Sequence, residues 1–126
     1  MIFVFCYFFR HGEGFKKRTK DFALRAIRLF QALPKQADAQ ILGKQLLRSS
    51  TSVGANYRAA CRARSKAEFA AKIGIALEEA DESLFWMELL EESGIISSSR
   101  LQSLKQEAHE LTAILTTARK SAYKNK

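Results

Sequence analysis

Four basic side chains are spaced so that a single helical face would carry all of them. Successive residues lie about 100° apart around a helix, so these four side chains fall within an arc of roughly 80°. They are Lys44, Arg48, Arg58 and Arg62. No acidic residue interrupts that arc. Cations spaced along a rigid rod neutralise successive phosphates and release their counterions. The spacing therefore predicts a phosphate-binding surface, which we call the basic ridge.

The ridge extends around the following turn through Arg64 and Lys66, while Arg25 and Arg28 are expected on the outer side of the first helix. The candidate nucleic-acid-binding residues are Lys44, Arg58, Arg62, Arg64 and Lys66. Two plainer interpretations stay open, a solvated face and a face consumed by ion pairs. No base-stacking aromatic residues are interleaved with these cations, so the pattern by itself does not distinguish the three.

A second apolar group lies on the third predicted helix, opposite its core-facing stripe. Large apolar residues with interspersed carboxylates are typical of a helix that has two partners, and tryptophan is favoured at interface centres. We therefore predict a homo-oligomer interface here, with a tryptophan that merely seals the flank of its own bundle as the alternative. This tryptophan flank consists of Ile75, Glu82, Phe85, Trp86 and Leu89.

The acidic residues of the third helix need cationic partners. Glu91 and Glu92 lie near the helix C-terminus, where the macrodipole disfavours negative charge. If the second and third helices run antiparallel about Ser65, Arg48 comes level with Glu82. We predict an Arg48–Glu82 ion pair, which would partly withdraw Arg48 from the ridge.

Signatures of catalysis and metal binding are missing from the sequence. His11 and His109 are isolated, and neither has a cysteine, aspartate or second histidine at metal-ligand spacing. Cys6 and Cys61 lie far apart and form no C-x-x-C motif. We therefore expect no catalytic residues, no metal and no cofactor, and we predict that the protein is not an enzyme.

Charge is distributed unevenly along the 126 residues, whose net charge is +8. Residues 1–76 carry fifteen basic and four acidic side chains, residues 77–110 carry two and nine, and residues 111–126 add four basic ones. A basic and an acidic surface can therefore coexist on one domain. The basic surplus favours polyanionic partners such as nucleic acid.

The apolar opening, residues 1–9, is far shorter than the roughly 20 residues of a membrane-spanning helix and lacks the flanks of a signal peptide. We expect no membrane partner and a cytoplasmic location. Residues 1–15 are interpreted as an extension outside the fold, and an apolar arm docked on the domain is the alternative. The domain is expected over residues 16–123, with a tail over 124–126.

Four segments must position these groups. In each of them apolar residues recur at three- and four-residue spacing, which is typical of amphipathic helices. The predicted caps and stops are Thr19, Pro34, Asp38, Ser65 with Glu68, and Gly94. Small residues at 49–52 and 54 predict close helix contact or a slight kink in the second helix. Short connections make sequential helices antiparallel, so we predict an all-α, antiparallel up-and-down four-helix bundle.

The stretches LRSSTSVGANYRAACRARSKAEF (residues 47–69) and KIGIALEEADESLFWMELLEESGII (residues 72–96) carry a resemblance to a known family. They resemble the four-helix-bundle proteins encoded by intervening sequences in bacterial 23S ribosomal RNA genes. The resemblance covers about residues 18–120 and implies a bundle that assembles into a ring, commonly a pentamer, with a basic surface for RNA. It implies no active site.

Two functions follow as expectations. The first is a non-catalytic, oligomeric protein that binds RNA or other nucleic acid through the basic ridge. The alternative is a ring-forming scaffold or protein-partner adaptor with no nucleic-acid role, in which the basic face is used between subunits.

Overall fold

The chain folds into four long helices. The computed structural model describes the backbone of residues 2–124 and the side chains of residues 13–123. The helices are α1 (Ile2–Gln31), α2 (Ala37–Cys61), α3 (Lys66–Glu92) and α4 (Ser98–Lys124), and the described backbone contains no strand. The predicted all-α class is confirmed. The side chains of the apolar opening and the tail at 124–126 lie outside the described residues, so their predicted roles stay predictions.

Helices that follow one another in the chain are antiparallel neighbours. Phe30 lies beside Gly43 at one end of the α1–α2 pair, and Phe15 packs edge-on against Tyr57 at the other, with 4.6 Å between ring centroids. The α2–α3 contact is the most extensive and the α1–α4 contact is the sparsest, and among the described residues the diagonal pairs do not pack together. The chain is therefore the four-helix bundle that was predicted.

The core follows the predicted apolar stripes most closely in the last helix. The seven apolar residues that recur there at three- and four-residue spacing are all buried: Leu101, Leu104, Ala108, Leu111, Leu115, Ala118 and Ala122. In α1 the core contains Phe15, Thr19 and Phe22, and Phe15 belongs to residues 1–15, the segment interpreted as lying outside the fold. The buried part of α1 therefore extends further towards the N-terminus than predicted.

The predicted helix starts at Thr19 and Asp38 were wrong. Thr19 is buried within α1 and donates a hydrogen bond to the Lys16 carbonyl at 3.0 Å, because the helix continues through it. Asp38 lies inside the first turn of α2, where it accepts from the Ala39 N–H, while the N-cap is Gln36, which makes no side-chain cap bond. Both side chains make the hydrogen bonds to nearby backbone groups that are typical of threonine and aspartate, but they make them within a helix rather than at its start.

The boundaries of α3 are confirmed in detail. Ser65 Oγ accepts a hydrogen bond from the Glu68 N–H at 3.0 Å, and Glu68 in turn accepts from the Arg64 N–H at 3.1 Å. At the other end Gly94 has φ +78°, and the Ile95 N–H bonds to the Leu90 carbonyl at 3.1 Å. This is a Schellman motif, which requires a residue that tolerates positive φ.

Small residues in the middle of α2 allow the close helix contact that was predicted. Ser49 and Ser83 are fully buried, and their hydroxyls lie 2.9 Å apart across the α2–α3 contact. On the other side of α2, a Cβ on Gly54 would lie 3.5 Å from the Thr19 carbonyl oxygen. Bulky side chains at Ser49 or Ser83 would force α2 and α3 apart, whereas a Cβ at Gly54 would be at ordinary contact distance.

Tyr57 is the largest fully buried side chain of residues 13–123. Its hydroxyl has no hydrogen-bond partner in the described part of the chain. Burial is the largest factor that raises the pKa of Tyr57 well above its usual value, and Cys61 and Glu13 add to the effect. The ring anchors α2 against Phe15 of α1, at the end of the bundle where α3 begins.

Candidate nucleic-acid interface

The outward face of α2 carries three exposed cations. Lys44, Arg58 and Arg62 are exposed, and none of them pairs with an acidic side chain among residues 13–123. Arg58 lies in the last turn of α2, where a cation also complements the helix macrodipole. These three residues form the accessible part of the basic ridge.

Arg48 has turned away from that ridge towards α3. The predicted ion pair with Glu82 is confirmed, and a second pair joins Arg48 Nη1 to Glu79 at 3.0 Å. This single guanidinium offsets one of the two negative charges that Glu79 and Glu82 place close to the ridge. The ridge is thereby reduced by one cation, and the acids beside it oppose a polyanion less strongly.

Arg64 and Lys66, the predicted extensions of the ridge, behave differently from each other. The Arg64 side chain is 91% exposed, and its Nε lies 3.9 Å from Glu68, a loose pair within one helical turn. Lys66 is the first residue of α3, and its Nζ is buried beside a cavity of about 340 Å³ between α3 and α4. Lys66 therefore does not extend the ridge, since its Nζ is buried and the cavity that it lines is bordered by Ala122 and Tyr123 of α4.

The cations of α1 divide into two groups. Arg25 faces α4, where it donates to Ser103 Oγ at 2.8 Å, and Arg28 is exposed. Arg18 donates two hydrogen bonds to Glu107, at 2.8 and 2.9 Å, and also pairs with Glu110. The sequence analysis missed this fork, because its partners are 89 residues or more apart in sequence. Arg18 and Arg25 therefore hold the sparse α1–α4 contact and are not available to a ligand.

The α1–α4 ion pairs shift the protonation equilibria of their members. The Glu107 hydrogen bond is the largest factor that raises the pKa of Arg18 above its usual value. A hydrogen bond from Gln106, followed by one from Arg18, holds the pKa of Glu110 below its usual range. The Arg18 guanidinium and the Glu110 carboxylate are accordingly charged at neutral pH.

A groove between α1 and α2 collects cations that the sequence analysis did not bring together. It has a volume of about 280 Å³ and is lined by Lys16 and Lys20 from α1 and by Arg58 from α2. Sequence alone gave no signal for this grouping, because it depends on how the two helices align. With these lysines the basic surface continues from α2 onto α1.

The tryptophan flank is partly solvent-exposed on the outer side of α3. Ile75 is 40% and Phe85 50% exposed, and Leu89 is half-buried. Trp86 packs partly on the core, lies edge-on to Phe85, and donates its indole N–H to Glu82 at 2.9 Å. Trp86 is thus not enclosed by its own helices. Glu82 is engaged by Arg48 and Trp86 of the same chain.

Two searches of the described residues concern other kinds of site. No group of three or more His, Cys, Asp or Glu side chains lies close enough together to hold a metal ion in that part of the chain. No helix there combines the length and the apolar character that crossing a bilayer requires.

The chain matches a protein-family model and several chains of solved structures. The family model described as 23S rRNA-intervening sequence protein matches residues 15–117. A solved structure of a protein of unknown function from the S23 ribosomal protein family of Bacteroides thetaiotaomicron VPI-5482 is 36% identical, with a TM-score of 0.79. The match covers 83% of this chain and 94% of that one. A comparison with curated protein sequences finds no match.

Proposed function

Since the chain belongs to the 23S rRNA-intervening sequence protein family, we propose that it is a non-catalytic, oligomeric protein that binds RNA or other nucleic acid through its basic ridge. The proposal keeps the cytoplasmic location expected from the sequence. The ridge acts through Lys44, Arg58 and Arg62, with Arg64 at its end.

The observation that carries this proposal is the unneutralised charge of the ridge. Its three central cations are exposed without acidic partners in the described chain, while Arg48 occupies Glu79 and Glu82 alongside. An exposed row of cations on a rigid helix provides the counterion release that drives binding to a polyanion. Contacts to phosphates carry no sequence information, so we expect little sequence preference.

Assembly is the second part of the proposal. The tryptophan flank leaves Ile75 and Phe85 exposed beside a half-buried Trp86, and covering such a patch with a second copy removes apolar surface from water. The resemblance to ring-forming bundles favours a pentamer. Repeating the ridge around a ring would join several weak phosphate contacts into one binding surface.

The test is a charge reversal with a matched control. Arg58→Glu with Arg62→Glu should abolish binding of a fluorescein-labelled single-stranded RNA without changing the helical circular dichroism. Arg100→Glu with Lys120→Glu, an equal charge change on exposed residues of α4, diagonally opposite α2, should retain most of the binding. For three contacts per chain, the slope of log affinity against log salt should be about −2 per chain. Binding that ignores both the reversal and salt would refute the proposal.

The exposed tryptophan flank also favours a second candidate function, a ring-forming scaffold or protein-partner adaptor with no nucleic-acid role. Phe85→Ser with Ile75→Ser should lower the mass of the assembly measured by light scattering in either case. If the assembly forms but RNA does not bind, and Arg58→Glu disrupts the ring instead, the adaptor function replaces the first.

A further inference from the structure

The groove between α1 and α2 has a rim of cations and a floor of small residues. Lys16, Lys20 and Arg58 surround it, and Thr19, Gly54 and Ala55 line it between the helices. At about 280 Å³ it lies just below the roughly 300–1,000 Å³ of pockets for drug-sized ligands. The groove therefore fits a small group rather than a large molecule.

The charge in the groove is only partly compensated. Lys20 and Arg58 are exposed and have no acidic partner among the side chains described. Lys16 pairs with Glu13 at 3.1 Å, but Glu13 is 85% exposed, so water screens this pair strongly. Three cations converge with one weakly held carboxylate, and the groove is accordingly selective for an anion.

Gly54 is not required there by helix packing. A glycine inside a helix costs about 1 kcal/mol relative to alanine. A Cβ on Gly43 would approach Leu33 Cδ1 to 2.3 Å, whereas a Cβ on Gly54 would lie at ordinary contact distance, 3.5 Å from Thr19. Close packing accounts for Gly43, but it leaves Gly54 without a structural reason. What the missing side chain does provide is an open floor beneath the cations.

The available hydrogen-bond donors specify the class of anion. Thr19 and Thr51 donate their hydroxyls to carbonyls of their own helices, at 3.0 and 2.8 Å, so the cations alone remain as donors. A ligand that only accepts hydrogen bonds and carries concentrated negative charge meets this requirement, and a phosphate group has both properties.

We propose that the α1–α2 groove binds one phosphate group through Lys16, Lys20 and Arg58, over the floor left open by Gly54. The identification of this group as a backbone phosphate of a polynucleotide rests on the proposed function. A free phosphorylated small molecule or inorganic phosphate would present the same chemistry, and the experiment separates these sources.

The experiment uses two probes on the full chain. Inorganic phosphate is titrated while the Gly54 amide is followed by NMR, with the Gly43 amide as an internal reference at the other end of α2. A fluorescein-labelled single-stranded RNA is titrated in parallel. The variants are Lys20→Gln, Gly54→Leu, which fills the floor, Glu13→Gln, which frees Lys16, and Lys44→Gln, a ridge control outside the groove.

We expect phosphate to shift the Gly54 amide but not the Gly43 amide, and both Lys20→Gln and Gly54→Leu to remove that shift. Lys20→Gln should weaken RNA binding by up to about fivefold, the range of an exposed ion pair. Glu13→Gln should strengthen it, which a merely structural role of Lys16 would not do. Lys44→Gln should weaken RNA binding and leave the phosphate shift intact.

The outcomes separate the two proposals. If RNA binds neither the unmodified chain nor any variant, but phosphate still shifts the Gly54 amide signal, the nucleic-acid function fails. The groove then stands as a site for a free phosphorylated ligand. If RNA binding depends on Lys44 but ignores Lys20, Gly54 and Glu13, the groove is overturned as an RNA site and the ridge remains. A Gly54 amide that does not respond to phosphate, together with unchanged RNA binding in the groove variants, also overturns it. Lys20→Gln alters an exposed side chain, so its result does not depend on refolding.

Discussion

The two interior glycines of α2 permit a stability prediction in which one substitution serves as the control for the other. Gly43→Ala and Gly54→Ala add the same methyl group to the same helix. Each substitution stabilises the helix by about 1 kcal/mol through its higher helix propensity. The difference between the two changes in unfolding free energy therefore reports the space available at each site. At Gly43 the new Cβ would lie 2.3 Å from Leu33 Cδ1 and 2.9 Å from Phe30 Cδ1, whereas at Gly54 the nearest atoms are 3.5 Å away.

The expected magnitudes follow from those distances. Overpacking a filled contact costs about 1–3 kcal/mol, so Gly43→Ala should destabilise by about 0–2 kcal/mol after its propensity gain. Gly54→Ala meets no overlap and should stabilise by up to about 1 kcal/mol. The unfolding free energies of the two variants should therefore differ by about 1–3 kcal/mol. For a domain of this size each kcal/mol corresponds to roughly 3–5 °C in Tm.

Urea unfolding followed by circular dichroism measures this difference directly. The midpoint should fall for Gly43→Ala and rise for Gly54→Ala at an unchanged m value. If Gly54→Ala destabilises as much as Gly43→Ala, the space at Gly54 is needed for packing. The inference that its floor is kept open for a ligand would then lose its support.

Three further predictions concern polar groups. Ser49→Ala and Ser83→Ala should each cost about 1 kcal/mol, and a double-mutant cycle should give a coupling of about 0.5–1.5 kcal/mol; additive effects would mean that their hydroxyls do not interact. Arg18→Gln should lower the Tm by the equivalent of about 1 kcal/mol or less, because water screens its partly exposed pair with Glu107, and added salt should shrink the difference. Since burial raises the pKa of Tyr57, its stabilising contribution is complete below the unfolded tyrosine pKa of about 10 and is lost as pH rises above it. Tyr57→Phe should reduce that alkaline loss in urea titrations, and an identical pH profile in the variant would contradict the assignment.

The sequence predicted most of the architecture because local rules fix it. Apolar spacing specified which face of each helix is buried, and the Ser65 cap and the Gly94 stop are properties of short segments. The Arg48–Glu82 pair also followed, since an antiparallel register measured from Ser65 is enough to place both residues at the same level.

The candidate site was less predictable, because side-chain direction depends on tertiary alignment. Lys66 lies close to the ridge in sequence, but the first turn of α3 buries its Nζ beside α4. Lys16 and Lys20 join Arg58 only once α1 and α2 are packed. The wrong helix start at Thr19 has a related cause. A threonine at a helix N-terminus and a threonine inside a helix, bonded to a preceding carbonyl, can have the same local sequence.

The uneven packing around the bundle has a kinetic consequence. The largest contact joins α2 to α3 across a short capped turn, whereas α1 and α4, which lie far apart in sequence, meet sparsely and through polar groups. Contacts between nearby segments close with the smallest loss of chain entropy. The α2–α3 hairpin should therefore form in the folding transition state, and the α1–α4 contact, which includes the bonds of Arg18 and Arg25 to α4, should close after the rate-limiting barrier.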